Sequence, residues 1–148
     1  MSPAAFIDTN IPIYAVGRDH PLKEPCLQVM RLAMEHPRAF LSDAEVLQEI
    51  IHRYLSLRLW PQGREVFQAF SDVMEERIEA IYAGDIHRAA VLADSYKNLA
   101  ARDLVHAAVM QRLGIHRIIS ADTGFDRLPE FERLDPAKLA GWQRSVLP

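Results

Sequence analysis

Two short apolar runs stop on an aspartate, A-F-I-D at Asp8 and R-I-I-S-A-D at Asp122. An unpaired carboxylate buried at a strand's end costs many kcal/mol, so an acid in that place needs a partner. Three further acids stand nearby in the pattern. Asp126 follows Asp122 by four residues, Asp103 opens the helical run R-D-L-V-H-A-A-V-M, and Glu49 sits among apolar residues in V-L-Q-E-I-I. Each has an ordinary explanation when taken singly. Asp8 can cap the next helix, and Asp103 can favour a helix dipole. Asp126 can pair with Arg127. Glu49 can pair with Arg53 one turn on, an exposed helix pair worth only ~0.3–0.5 kcal/mol. Taken together, carboxylates gathered at one end of a sheet repel one another unless cations neutralise them. The chain has one cysteine, Cys26, and six histidines without H-x-x-x-H spacing. Its donors are therefore hard oxygens, which select Mg²⁺ or Mn²⁺ over Zn²⁺.

Those acids act together only if the chain folds to gather them. Residues 4–7 read as a first strand, and Asn10–Val16 can start a helix with Pro12 in its first turn. The run 27–34 is helical and 38–42 a short strand. Ser42 followed three residues later by Glu45 predicts a capping box and a helix with Val46, Leu47, Ile50, Ile51, Tyr54 and Leu55 on its apolar face. Gln62 to about Met74 reads as a helix and 77–82 as a strand. Asp85 can cap another helix, and Ala101–Leu113 is a helix stopped by Gly114. A buried strand follows over 116–121, then an edge strand in E-R-L-D-P and a short helical end. Strands alternating with helices predict an α/β chain with a mainly parallel sheet of four to five strands and helices on both faces. Ligands in such a sheet bind beyond the carboxyl ends of the strands, where Asp8 and Asp122 fall.

At 148 residues the chain fits one domain, residues 1–148, with a sizeable core. A net charge of −3 argues against a purely electrostatic nucleic-acid binder, though bound divalent cations would reverse its sign. No apolar stretch reaches the ~18 residues of a membrane span, and the N-terminus does not read as a signal peptide. With a lone cysteine, this suits a reducing cytoplasm.

A resemblance becomes specific at four motifs: F-I-D-T-N, V-L-Q-E-I, A-A-R-D-L-V-H-A-A and S-A-D-T-G-F-D. In this order and spacing the chain resembles the PIN domains, small α/β/α nucleases that include toxin ribonucleases of the VapBC type. The resemblance implies a metal-dependent endoribonuclease acting on RNA, with Mg²⁺ or Mn²⁺ as cofactor and a small antitoxin protein as partner. It also implies a homodimer. It assigns Asp8, Glu49, Asp103 and Asp122 to an acidic pocket, with Asp126 as a further member. Asp8 and Asp103 would be the principal metal contacts. Glu49 and the Asp122/Asp126 pair would hold metal-bound waters or a second ion. Thr9, Asn10 and Thr123 would support them by hydrogen bonds. His106 reads as a core or supporting residue, and Glu45 as a capping residue rather than the pocket glutamate. Arg53, Arg58, Arg102 and Arg127 are candidates to reach phosphates.

Two rivals belong to other classes. A haloacid-dehalogenase phosphohydrolase would need a second acid where D-T-N has Asn10. A non-catalytic RNA-binding protein that keeps the fold is the other, and an intact acidic set argues against it.

Overall fold

The computed structural model describes residues 3–147. Five strands form one sheet in the order β3-β2-β1-β4-β5, with every neighbouring pair parallel. They are β1 (Ala5–Ile7), β2 (Phe40–Asp43), β3 (Ile78–Glu79), β4 (Arg117–Ile119) and β5 (Glu132–Leu134). β1, at the centre, is wholly buried, as is β2 beside it. That is why both read as near-continuous apolar runs rather than alternating ones.

Parallel strands need crossover connections, and here helices supply them. α1 (Asn10–Val16) and α2 (Lys23–Glu35) link β1 to β2; α3 (Ala44–Ser56) and α4 (Trp60–Met74) link β2 to β3. The chain then turns back across the sheet through α5 (Ala83–Ser95) and α6 (Ala101–Leu113) to β4. Right-handed crossovers running in opposite directions place their helices on opposite faces. α1, α2 and α4 accordingly pack on one another, and α5 packs on α6, giving the three-layer α/β/α sandwich expected from the sequence. α7 (Leu139–Val146) closes the described chain. Phe6, Ile7, Phe40, Ile50, Phe70, Met110, Ile118, Ile119 and Phe125 fill the core. Among the described residues no helix is long and apolar enough to cross a membrane.

Several boundaries differ from the sequence reading for local reasons. α2 begins at Lys23 rather than 27, because Pro25 falls in its first turn where no N–H is required. The strand expected over 77–82 narrows to Ile78–Glu79, and Tyr82 precedes α5. Asp85 lies inside that helix and accepts the Tyr82 N–H at 2.9 Å, so it closes the helix end from within. The predicted Ser42–Glu45 box does not form. β2 stays paired to β3 through Asp43, so the helix starts one residue later and Asp43 caps α3, its Oδ1 accepting the Val46 N–H at 3.1 Å. Ser42 donates instead to the Ile7 carbonyl at 2.9 Å, stitching β2 to β1.

α3 and α4 meet at Gly63. A Cβ there would lie 2.3 Å from Tyr54 Cβ and 2.6 Å from its Cγ, so the helices cross at this distance only over a glycine. Gly63→Ala is expected to lower stability by about 1–3 kcal/mol, read as a drop in the thermal midpoint. An unchanged midpoint would mean that the helix pair tolerates a wider crossing.

Candidate metal centre

β1 and β4 leave the sheet side by side at the point where the strand order reverses, which is where open α/β sheets bind ligands. Asp8 follows β1 directly. It is only 4% exposed, and it stands there because the chain surrounds it with donors. Its Oδ1 accepts the Thr9 N–H at 2.8 Å. Its Oδ2 accepts from the Ser120 hydroxyl at 2.7 Å and from Asn10 Nδ2 at 3.2 Å. Asn10 also donates to Ser120 Oγ at 3.0 Å and accepts the Ala121 N–H at 3.1 Å, so one side chain ties the end of β1 to the end of β4. Ser120 Oγ accepts the Asp122 N–H at 3.0 Å. Thr9 Oγ1 is buried and has no hydrogen-bond partner among the described residues.

Asp103 sits in the first turn of α6, 5% exposed. Burial, then the charges of Asp8 and Asp122, push its pKa up to about 7. Asp122 caps a short 3-10 helix, Thr123–Arg127, its Oδ1 accepting the Gly124 N–H at 2.9 Å. A Cβ at Gly124 would stand 3.3 Å from Asp122 Oδ1 and 3.6 Å from Asp103 Oδ2, so both carboxylates converge on the space beside this glycine. Burial also raises the Asp8 pKa, with Glu49 adding to the effect and His106, Ser120 and Thr9 offsetting part of it.

Glu49 enters from α3 and is paired on both oxygens, with His106 Nε2 at 3.0 Å and Arg102 Nε at 3.0 Å. Its partner is therefore not Arg53. His106 is fully buried on α6 and its Nδ1 lies 2.8 Å from Asp43 Oδ2. Burial alone would lower the His106 pKa. The Asp43 charge and hydrogen bond, the Glu49 hydrogen bond and the Asp8 charge outweigh it and hold the pKa well above the usual imidazole range.

Asp126 is the departure. Its carboxylate takes the guanidinium of Arg133 on β5, with Nε to Oδ1 at 3.0 Å and NH2 to Oδ2 at 3.3 Å. A bidentate arginine satisfies it, and Arg133 also donates to the Ser120 carbonyl at 3.1 Å, so the pair braces the loop that carries Asp122. Arg127, the expected partner, donates to the Asn98 carbonyl. Thr123 is exposed beside Asp122 and makes no hydrogen bond to Asp8 or Asp103.

A cleft of about 760 Å³ opens over the acids. Asp8, Thr9, Asn10, Glu49 and Asp122 line it, together with His52, Arg53 and Arg102. Glu45 lines it too, half-buried, because Asp43 has taken over the capping role. Sequence reasoning missed Ser120, Asp43 and the wiring of His106. Ser120 was visible only as the polar residue inside I-I-S-A-D, and Asp43 as an acid after F-L-S.

The donor set fits a hard divalent cation. Asp8, Asp103 and Asp122 are crowded enough to raise a buried carboxyl's pKa by mutual repulsion, which a dication relieves. Among the described residues, the group of possible ligand atoms that lie within 4.8 Å of one another belongs to Asp8, Glu49 and His106. Two of its members are already hydrogen-bonded to each other.

Residues 5–131 match the PIN domain family model. The chain is 38% identical to Ribonuclease VapC13 of Mycobacterium tuberculosis over 129 residues, 87% of this chain and 98% of that protein. It is 35% identical to Ribonuclease VapC23 of the same species over 120 residues, 79% of this chain and 91% of the relative. Among solved structures, Mycobacterium tuberculosis VapC20, a Sarcin-Ricin loop cleaving toxin, superposes with a TM-score of 0.66 at 18% identity, covering 84% of this chain and 95% of that one. VapBC2 from Rickettsia felis, bound to a promoter DNA fragment, gives 0.65 at 18% identity over 89% and 99%. With the family model matching most of its length and curated relatives covered almost end to end, the chain belongs to the PIN-domain family, among its VapC ribonucleases.

Proposed function

We propose that this chain is a metal-dependent endoribonuclease, the toxin of a toxin–antitoxin pair, and that Asp8, Asp103 and Asp122 hold its divalent cation, Mg²⁺ or Mn²⁺. The observation that carries the reading is the meeting of the Asp103 and Asp122 carboxylates beside Gly124, near enough to Asp8 for its charge to act on Asp103, next to a cleft lined by Asp8, Asp122, Arg53 and Arg102. A cation held there supplies Lewis acidity toward a phosphoryl oxygen, activation of water and neutralisation of the charge that grows on the leaving oxygen.

The chain's own residues supply the rest. Ser120, Asn10 and the Thr9 N–H fix both Asp8 oxygens, so the carboxylate is oriented before any substrate arrives. The buried Thr9 hydroxyl has no hydrogen-bond partner among the described residues, which leaves it able to hold an ordered water. Arg53 and Arg102 line the cleft, and in this reading their guanidinium groups take substrate phosphates. Every protein group named is an acid, an amide, a hydroxyl or a guanidinium that holds or orients, so this reading needs no covalent protein nucleophile. Asp126, held by Arg133, supports the Asp122 loop from outside the cleft.

The partner reading rests on the kinship with VapC proteins and on the surface beside the cleft. Leu55, Leu57 and Leu59 are 55%, 54% and 42% exposed where α3 turns into α4, and Leu57 reaches the cleft itself. An antitoxin segment that covered these leucines could continue into the acidic cleft with a basic side chain.

The test is cleavage of mixed single-stranded RNA by the purified chain with Mn²⁺, Mg²⁺ or EDTA. Cleavage is expected with either metal and is expected to stop on chelation. Equal cleavage in EDTA would sink the metal-dependent mechanism. Metal affinity should rise with pH and level off above about pH 7, because protons compete for Asp103 below its raised pKa of about 7. A calorimetric titration flat between pH 5.5 and 8 would show that Asp103 does not bind the ion.

A further inference from the structure

Two helices leave neighbouring strand ends beside the acids. α1 begins at Asn10, just past Asp8, and α3 at Ala44, just past Asp43. Asn10 and Tyr14 of α1 line the cleft from one face of that helix. Gln48, Glu49, His52, Arg53 and Ser56 of α3 line it too, again at offsets of three and four. Glu49 marks the acidic end, since one of its carboxylate oxygens lies within 4.8 Å of one of Asp8's. Ser56 closes α3 two turns farther on, roughly 10 Å along the axis at the usual helical rise. The cleft therefore runs on well past the acids.

That stretch carries groups suited to an unpaired base. Tyr14 is half-buried, packed against the core and open to the cleft. His20 steadies its ring, with centroids 4.5 Å apart and an interplanar angle of 33°. His20 is itself fixed, its Nδ1 accepting the Leu22 N–H at 3.1 Å. A ring so held loses little freedom when a base stacks on it. Gln48 and His52 are exposed one turn apart on α3. The glutamine amide carries both donors and an acceptor, as the hydrogen-bonding edge of a base requires. Arg53 adds a guanidinium for an adjoining phosphate. At about 760 Å³ the cleft is in the range of pockets that enclose a drug-sized ligand. That is room for a nucleotide or two, not for a duplex.

The geometry points to a nucleobase subsite in the cleft lined by α1 and α3, where a base next to the scissile phosphate of single-stranded RNA stacks on Tyr14 and offers its edge to Gln48 and His52. This subsite rests on the ribonuclease reading above and gives the chain a place at which to select sequence. Duplex RNA keeps its bases stacked inside the helix, so the subsite takes unpaired segments and loops.

Cleavage of a randomised single-stranded RNA pool with Mn²⁺, with the cut ends sequenced, tests it on the full chain and on Tyr14→Leu, Tyr14→Phe and Gln48→Ala. The wild type is expected to favour one base at a fixed position beside the cut. Tyr14→Leu is expected to lose about 10- to 100-fold in kcat/KM, through KM, and to flatten the preference at that position. Tyr14→Phe keeps the ring and is expected to recover the profile. Gln48→Ala, at an exposed position where folding is not at stake, is expected to weaken the same preference. A wild type that cuts with metal but favours no base overturns the inference and leaves the ribonuclease reading standing. One unaltered preference in the wild type, Tyr14→Leu and Gln48→Ala overturns it as well. So does a Tyr14→Leu variant that loses kcat with its profile intact, since the ring then serves the fold. A wild type without metal-dependent cleavage removes the ribonuclease reading, and the inference falls with it.

Discussion

Asp103→Asn is expected to lower metal-dependent RNA cleavage by at least about a hundredfold while leaving the metal-free fold at least as stable as the wild type above pH 7. The two halves have one cause. Asp103 is buried beside the charges of Asp8 and Asp122, which push its pKa up to about 7 from an ordinary value of 3.8. Between those values the folded chain binds more protons at this site than the unfolded chain does. Stability contributed by Asp103 therefore falls as pH rises through that window, and above it the ionised group is unfavourable. Asparagine keeps the shape and removes the repulsion, so the decline with pH should flatten in the variant. Added Mg²⁺ should stabilise the wild type above pH 7 and have little effect on the variant. Urea titrations at pH 5.5 and 8, with and without metal, give the comparison, and RNA cleavage by the same samples gives the activity. A variant that is inactive and also destabilised at pH 8 would mean that Asp103 acts as a structural acid. A variant that cleaves normally would remove it from the metal centre.

The second large effect is on folding rather than on activity. Asp43→Ala should cost about 3–5 kcal/mol, because it leaves His106 buried without the acid that pairs with its Nδ1. It also removes the side-chain cap of α3, a loss of about 1 kcal/mol by itself. Asp126→Ala is the control. Asp126 is half exposed in its pair with Arg133, so its loss should cost about 0–1 kcal/mol. Chemical denaturation followed by circular dichroism separates them, with the midpoint moving and the slope unchanged. Equal costs for the two variants would mean that His106 finds another partner or loses its charge when Asp43 is removed.

The strands and helices were largely legible in the sequence because their signals are local. β1 and β4 are short apolar runs, and Ala101–Leu113 ends at Gly114, which adopts the left-handed φ of 70° that a helix-terminating glycine allows. The α3 cap was not legible to the residue. Ser42 and Asp43 are both good caps by type, and only the pairing of β2 with β3 decides which of them leaves the strand first. Asp85 was misplaced for a similar reason, since an acid at a helix start and one a turn inside it look alike in sequence.

The sequence by itself determined the α/β order, the presence of acids at two strand ends and the hard-oxygen character of the donors. Periodicity, chain breaks and residue type act over a few positions and need no partner across the fold. Which acids stand together was decided only by the tertiary structure. Asp126 is four residues from Asp122, yet a bidentate bond to Arg133 on β5 draws it away. Asp103 lies far along the chain from Asp8, yet their charges meet where the sheet's order reverses. His106 reads from the sequence as a core or supporting residue, but its partners do not, and the fold sets it between Asp43 and Glu49. Carboxylates are all acceptors and look the same in a sequence. Their roles are fixed by which donor the fold brings within about 3 Å, and here strand pairing and helix crossing make that choice.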